Sequence, residues 1–275
     1  MKPAAFDYAR PPSLDDAIRL LADGDGAAMP ISGGQSLLIL MGLRMTMIDT
    51  LVDVTQLQEL KQLRDDGDGV FVGALTTHAT IEDGKIPDPS AGLLARVASK
   101  IAYRAVRNLG TIGGSVALAD PAADWPACLI ALGAEVCIVG PGGERRERVE
   151  DFVRGAYETS LATGEIVVGF QLPRREATRW GISKVSRKSG AFADSMAVAV
   201  EATDGAPRVA LAGTASRALH LPQVSLHLQQ HRTVDAAELA TVIRAELAEL
   251  VPDADPYQLR CHVATISRAI AEARA

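Results

Sequence analysis

Two glycine-rich stretches carry the residue types best suited to holding an anion. The longer, 107–126, reads R-N-L-G-T-I-G-G-S-V-A-L-A-D-P-A-A-D-W-P. In it Gly110, Gly113 and Gly114 fall within five residues, bracketed by Thr111 and Ser115 and followed by the carboxylates Asp120 and Asp124. Glycine pairs leave main-chain N–H groups open to a close-lying ligand, because no Cβ shields them and positive φ costs nothing there. Hydroxyls beside them add donors. An earlier stretch, Ile31-Ser32-Gly33-Gly34-Gln35-Ser36, has the same make-up ahead of an apolar run. Two such cradles predict one extended ligand, a pyrophosphate above all, gripped from both sides. Neither G-x-G-x-x-G nor G-x-x-x-x-G-K-[ST] is present, so composition and spacing by themselves support only a phosphate-bearing ligand held by two loops.

No other constellation competes. The three cysteines, Cys128, Cys137 and Cys261, include no C-x-x-C pair and are read as core or half-buried thiols, not ligands of zinc or of an iron–sulfur cluster. His78, His220, His227, His231 and His262 show no H-E-x-x-H and no metal spacing, and are read as surface or packing residues; His78, beside two threonines, is assigned a capping or turn role. No metal site is expected in this chain. A net charge of −6 argues against a nucleic-acid partner, which needs a basic surface. The first residues contain no apolar leader core and no run is long enough to span a bilayer, so a cytoplasmic protein without membrane insertion is expected.

The elements that must position the cradles follow from pattern. At about 100–200 residues per domain, 275 residues predict two domains or three small ones. Ser13 with Asp16 three residues on opens a helix near 13–23, with Leu14, Ala17, Ile18 and Leu21 on one face. Residues 27–32 read as a buried strand running into Gly33-Gly34, and 36–43 as a helix leaving it. That strand–turn–helix would aim N–H groups and a helix dipole at one spot. Residues 50–54 and 69–75 are strands of a small parallel or mixed sheet. Residues 92–107 read as one amphipathic helix, with Leu94, Val97, Ala98, Ile101 and Ala105 opposite Arg96, Lys100, Arg104 and Arg107. Its basic face is solvated or turned to a partner or the ligand's phosphates. A helix begins at Asp124-Trp125-Pro126. A hairpin joins 134–139 to 144–149, and strands at 165–173, 180–187, 193–202 and 208–214 predict an antiparallel sheet. Two helices, 235–250 and 256–275, close the chain.

The sequence resembles the FAD-binding medium subunit of the molybdenum hydroxylases, the xanthine dehydrogenase and carbon monoxide dehydrogenase group. The resemblance rests on S-G-G-Q-S-L-L at 32–38, L-V-D-V at 51–54, V-G-A-L-T-T-H-A at 72–79, V-R-N-L-G-T-I-G-G-S at 106–115 with A-D-P-A-A-D-W-P-A at 119–127, D-F-V-R-G-A-Y-E-T at 151–159 and G-E-I-V-V-G-F-Q-L-P at 164–173. It spans residues 3–215 well and the remainder loosely. The chain departs from the family at Leu109, where R-N-R-G is usual, across 38–44, and at 189–195. None of these touches the cradle glycines.

The resemblance implies an α+β fold: an FAD-binding domain over 1–175, vanillyl-alcohol-oxidase-like, of two α/β subdomains (about 1–55 and 56–175), then a C-terminal domain over 176–275 with a three-stranded antiparallel sheet and a helical bundle. It assigns Ser32, Gly33, Gly34, Gln35 and Ser36, with Thr111, Ile112, Gly113, Gly114 and Ser115, to the FAD pyrophosphate. Asp124 is placed on the ribityl and ribose side, Val167 and Lys184 on the adenine side or flavin region, and Ile101 against the cofactor. It further implies electron transfer from 2Fe–2S clusters of a small subunit through FAD to an external acceptor, next to a large molybdopterin subunit, in a dimer of heterotrimers, with no acid–base residue of this chain catalytic. Two alternatives remain at this level: a scaffold subunit that keeps the fold without FAD, and a free-standing flavoprotein oxidase.

Overall fold

The computed structural model describes residues 2–214, 216–233 and 235–275. The first layer is a three-stranded parallel sheet of β1 (Asp7–Ala9), β2 (Ala28–Ile31) and β3 (Thr50–Asp53) in the order β1-β3-β2, with α1 (Leu14–Asp23) and α2 (Leu37–Gly42) in its connections. Ser13 caps α1 as its sequence predicts, its hydroxyl accepting from Asp16 N at 3.1 Å. Ala17, Ile18 and Leu21 pack with Val52, Val54, Leu57 and Leu60 under it.

The second layer is an antiparallel sheet of five strands, β4 (Leu63–Asp65), β5 (Gly69–Gly73), β6 (Glu135–Gly140), β7 (Gly143–Arg148) and β10 (Ile166–Pro173), ordered β4-β5-β10-β6-β7. Between β5 and β6 the chain makes α3 (His78–Glu82), α4 (Leu93–Ala98), α5 (Arg104–Arg107), α6 (Ile112–Leu118) and α7 (Asp124–Leu132). Between β7 and β10 it makes α8 (Val149–Phe152) and a small hairpin of β8 (Val153–Gly155) and β9 (Glu158–Thr159). Residues 50–53 and 69–73 therefore lie in different sheets, not in one parallel or mixed sheet. Strand periodicity reports burial but not partner, and β5 finds its neighbours at β4 and β10. For the same reason β10, expected beside the strands that follow it, belongs to this earlier sheet.

The third layer is β11 (Arg179–Val185), β12 (Ser195–Ala202), β13 (Gly205–Ala212) and β14 (Leu219–His220), antiparallel throughout, followed by α9 (Pro222–Gln230), α10 (Ala236–Leu250) and α11 (Pro256–Ala273). The three long strands meet the expectation, and the two-residue β14 extends them. α9 was not legible in sequence; Glu246, buried on α10, holds its start by accepting from Gln223 N and Val224 N, each at 2.8 Å.

Alternation on β12 ties the layers together. Met196, Val198 and Val200 point into a core shared with α7 and the five-stranded sheet, whereas Ala197 and Ala199 point into a second core against α9, α10 and α11. A strand buried on both faces must be apolar at every position, which β12 nearly is. α7 is buried along its whole length and so carries no polar face. α11 lies so close to β11 that a Cβ on Gly181 would fall 2.0 Å from the carbonyl oxygen of Ala269. Gly181→Ala should therefore lower unfolding stability by about 1–3 kcal/mol, the usual cost of overpacking, in urea titrations; an unchanged midpoint would mean the helix can retreat freely.

Candidate functional site

The two glycine stretches meet through backbone. A Cβ on Gly33 would lie 2.0 Å from the carbonyl oxygen of Leu109 and 2.9 Å from the Gly110 Cα, so the first loop touches the second with no room for a side chain. The Ser32 and Thr111 hydroxyls are 3.0 Å apart across the junction. Gly114 is exposed beside them, and a Cβ there would meet the Ser32 Oγ at 2.7 Å and the Thr111 Oγ1 at 3.0 Å. Of the glycines of the two stretches, only Gly114 is exposed. Gly33 is glycine for the sake of the loop–loop contact, and Gly113 because Ala74 Cβ would lie 2.5 Å from its own.

The second stretch is not a loop with open donors but a helix start. Thr111 caps α6, its hydroxyl accepting from Gly114 N at 3.1 Å, and Ser115 N donates to Thr111 O. Ile112 N donates to Thr76 O at 3.0 Å and Gly113 N to Ala74 O at 2.9 Å, while Gly110 O accepts from His78 N at 2.9 Å. These bonds occupy the N–H groups from Ile112 to Ser115. In the first loop, by contrast, the N–H groups of Gly33, Gly34, Gln35 and Ser36 find no acceptor among the described residues. Gly34 takes φ +68°, which only glycine adopts without strain, and the Gln35 amide braces the turn by donating to Gly33 O at 3.1 Å. Successive free N–H groups in such a turn form an anion-binding concavity. α2 has only six residues, so the donors of the loop, more than a helix dipole, would meet an anion.

Behind the second stretch stands His78, buried, with Nδ1 accepting from Trp125 Nε1 at 3.0 Å. That bond puts the proton of the neutral ring on Nε2. Burial, with Arg107 adding to it, brings the imidazole down to a pKa of about 4. The capping role anticipated for it falls to Thr77, whose hydroxyl accepts from Thr80 N at 3.1 Å; His78 is the buried first residue of α3 and ties the Gly110 carbonyl to α7.

The remaining residues singled out by sequence fall in three other places. Asp124, in the first turn of α7, is buried and pairs with Lys184 Nζ of β11 at 2.7 Å. Burial pushes the Asp124 carboxyl above its ordinary value, and Lys184 pulls against that shift. Ile101 sits in a break of the predicted 92–107 helix, which is two short helices around a left-handed Ala102 (φ +44°). Arg107, taken as part of a basic face, instead donates to both Glu82 oxygens at 2.8 Å and to the carbonyls of Ile101 and Ala102. Arg104 pairs with Glu82 and Asp83. Arg107 thus holds the break in place, and Arg104 ties α5 to the end of α3. Val167 is a core residue of β10, opposite Ile138 and just before a bulge. His227 and His231, which the sequence assigns to surface or packing, bring their rings 4.4 Å apart, His227 on α9 and His231 just past its end; the i, i+4 spacing H-x-x-x-H was the available signal.

The family described as the FAD binding domain in molybdopterin dehydrogenase matches residues 4–175, and the chain belongs to it. It is 35% identical over 224 residues to the medium chain of carbon monoxide dehydrogenase from Hydrogenophaga pseudoflava, covering 80% of this chain and 78% of that one. It is 32% identical over 258 residues to subunit alpha of the 6-hydroxypseudooxynicotine dehydrogenase complex of Paenarthrobacter nicotinovorans, covering 92% of this chain and 87% of the relative. A solved carbon monoxide dehydrogenase from Hydrogenophaga pseudoflava, in a form lacking the Mo-pyranopterin moiety of its molybdenum cofactor, superimposes with a TM-score of 0.92 at 31% identity, covering 99% of this chain and 98% of the other. The chain is thus an FAD-binding oxidoreductase subunit, and no helix among the described residues is long and apolar enough to cross a membrane.

Because His78 is held neutral, its contribution to stability is fully present above pH 6.5, the ordinary histidine value, and is lost as pH falls toward about 4, where the folded protein at last binds the proton. The loss should amount to on the order of 3 kcal/mol. Urea midpoints of wild type and His78→Gln should converge over that interval; curves that stay parallel would contradict the assignment.

Proposed function

We propose that this chain is the FAD-binding, electron-transfer medium subunit of a heterotrimeric molybdenum hydroxylase, held with a large molybdopterin subunit and a small iron–sulfur subunit in a cytoplasmic dimer of heterotrimers. The observation that carries it is the row of free N–H groups from Gly33 to Ser36, next in the chain to the Ser32 hydroxyl that meets Thr111 and that a side chain on the exposed Gly114 would strike. Those donors suit a diphosphate, because they are successive main-chain groups of one turn. When bound, the flavin supplies the redox chemistry, taking electrons from the 2Fe–2S clusters of the partner for an external acceptor.

The chain's own part is to bind, orient and admit. Ser32, Gly33, Gly34, Gln35 and Ser36 would hold the diphosphate, with Thr111, Gly114 and Ser115 closing the far wall. Ile112 and Gly113 act one layer back, by fixing α6 on β5. In this reading Asp124 receives ribityl or ribose hydroxyls on a carboxylate whose charge Lys184 balances, and Ile101 and Val167 bound the cofactor on apolar sides. Residues 1–175 would form the FAD-binding part and 176–275 the part that backs it. A multi-subunit assembly also suits the exposed apolar side chains Leu38, Ile39, Met45 and Met47, the last 80% exposed, which follow the first loop.

Gly114→Val tests the site. Its side chain would enter the space where the hydroxyls meet, and an overpacking cost of about 1–3 kcal/mol, if borne by the bound state, corresponds to a loss of about five- to 150-fold in flavin affinity. The purified variant should be folded by circular dichroism and pale where wild type is yellow. Full retention of flavin by a folded variant would overturn the assignment of the cleft.

A further inference from the structure

We propose that the C-terminal helices carry a site for one borderline-soft divalent cation of the zinc class, built by His227, His231 and Glu238. One ligand atom from each of these residues falls within 4.8 Å of the other two. The site bridges the end of α9 and the first turn of α10, and is independent of the flavin reading.

Three observations converge on it. His227 is 8% exposed, and its Nε2 is a buried polar atom without a hydrogen-bond partner among the described residues. A buried nitrogen left unsatisfied costs about 1–3 kcal/mol unless something binds it. The His231 ring, one helical turn further on, is 4.4 Å away, and its Nδ1 lies 3.0 Å from the His227 carbonyl oxygen. A carbonyl only accepts, so Nδ1 carries the proton and the lone pair of His231 is on Nε2, the tautomer in which a backbone carbonyl orients a metal-binding imidazole. Glu238 then brings a carboxylate from the adjoining helix.

Two imidazoles and one carboxylate are a donor set that imidazole-preferring ions accept and hard, six-oxygen ions do not. Bond lengths of about 2.0–2.2 Å to nitrogen and oxygen require the ligand atoms to draw in by about 1 Å. The exposed Glu238 side chain can supply this by rotation, with water completing the tetrahedron. Arg274 bears on the same turn, donating to the carbonyls of Leu228 and His231 at 2.7 and 2.9 Å, and its charge is matched by Glu201 at 2.6 Å. It therefore sets the backbone of the turn with its charge largely spent. A bound ion would clip the end of α9 to the first turn of α10.

The test uses the full-length chain, freed of metal by chelator and returned to chelator-free buffer. Zinc chloride titrated by calorimetry should bind at one ion per chain with micromolar affinity or better and raise the melting temperature, whereas magnesium chloride should do neither. His231→Gln and Glu238→Gln, both surface changes, should each weaken zinc binding by about tenfold or more and leave flavin absorbance unchanged. Absence of zinc binding to the wild-type chain, or unweakened binding in either variant, would overturn the site.

Discussion

The strap between β5 and the start of α6 is the contact on which the rest depends. Thr77 and Thr111 form an isolated antiparallel bridge, and backbone bonds from Ala74, Thr76 and His78 run to Gly113, Ile112 and Gly110 on either side of it. The strap works only at backbone distance, because any side chain at Gly113 would collide with Ala74. It also commits the first N–H groups of α6 to the protein. The two glycine stretches that look alike in sequence are therefore unequal in space: the second is a rigid wall of helix start and hydroxyls, and the first, with its donors unspent, is the side that can take up an anion.

His78 and α7 extend the same constraint inward. The imidazole receives a hydrogen bond from Trp125 while its own backbone holds Gly110, so the turn beside the cleft is fixed to the most deeply buried helix of the molecule. From that helix Asp124 reaches Lys184 of β11, joining the second layer to the third by a buried ion pair. Such a pair adds little net stability over an apolar equivalent, yet removing one partner leaves a charge stranded at a cost of about 3–5 kcal/mol. A pair of that kind is a means of fixing position, and it lies between the layers whose relative placement decides where a cofactor could lie.

The break at 99–103 shows where periodicity misleads. The apolar and basic positions from Leu94 to Arg107 keep helical spacing, but Arg107 finds a bidentate partner in Glu82 and two carbonyls to bind, and those bonds close a turn that a continuous helix would forbid. The acceptors for a guanidinium lie 5–25 residues away in the chain, and a window of sequence does not contain them. The same holds for β10, whose pattern specifies burial on a sheet and leaves open which sheet.

Sequence by itself determined the helix start at Ser13, the hairpin at 140–143, the closing helices, and the two clusters of glycine and hydroxyl residues, because each of these is decided by neighbours within a few positions: a cap, a turn, a stripe. The ordered match from Ser32 to Pro173 carried the family as well. Tertiary structure alone decided which N–H groups stay free at Gly33–Ser36 and which are consumed at Ile112–Ser115, which glycines serve packing and which one is exposed, and that Arg107 braces a turn. The physical reason is common to all three: whether a donor is spent depends on an acceptor brought in from elsewhere in the chain, and only the folded arrangement supplies it.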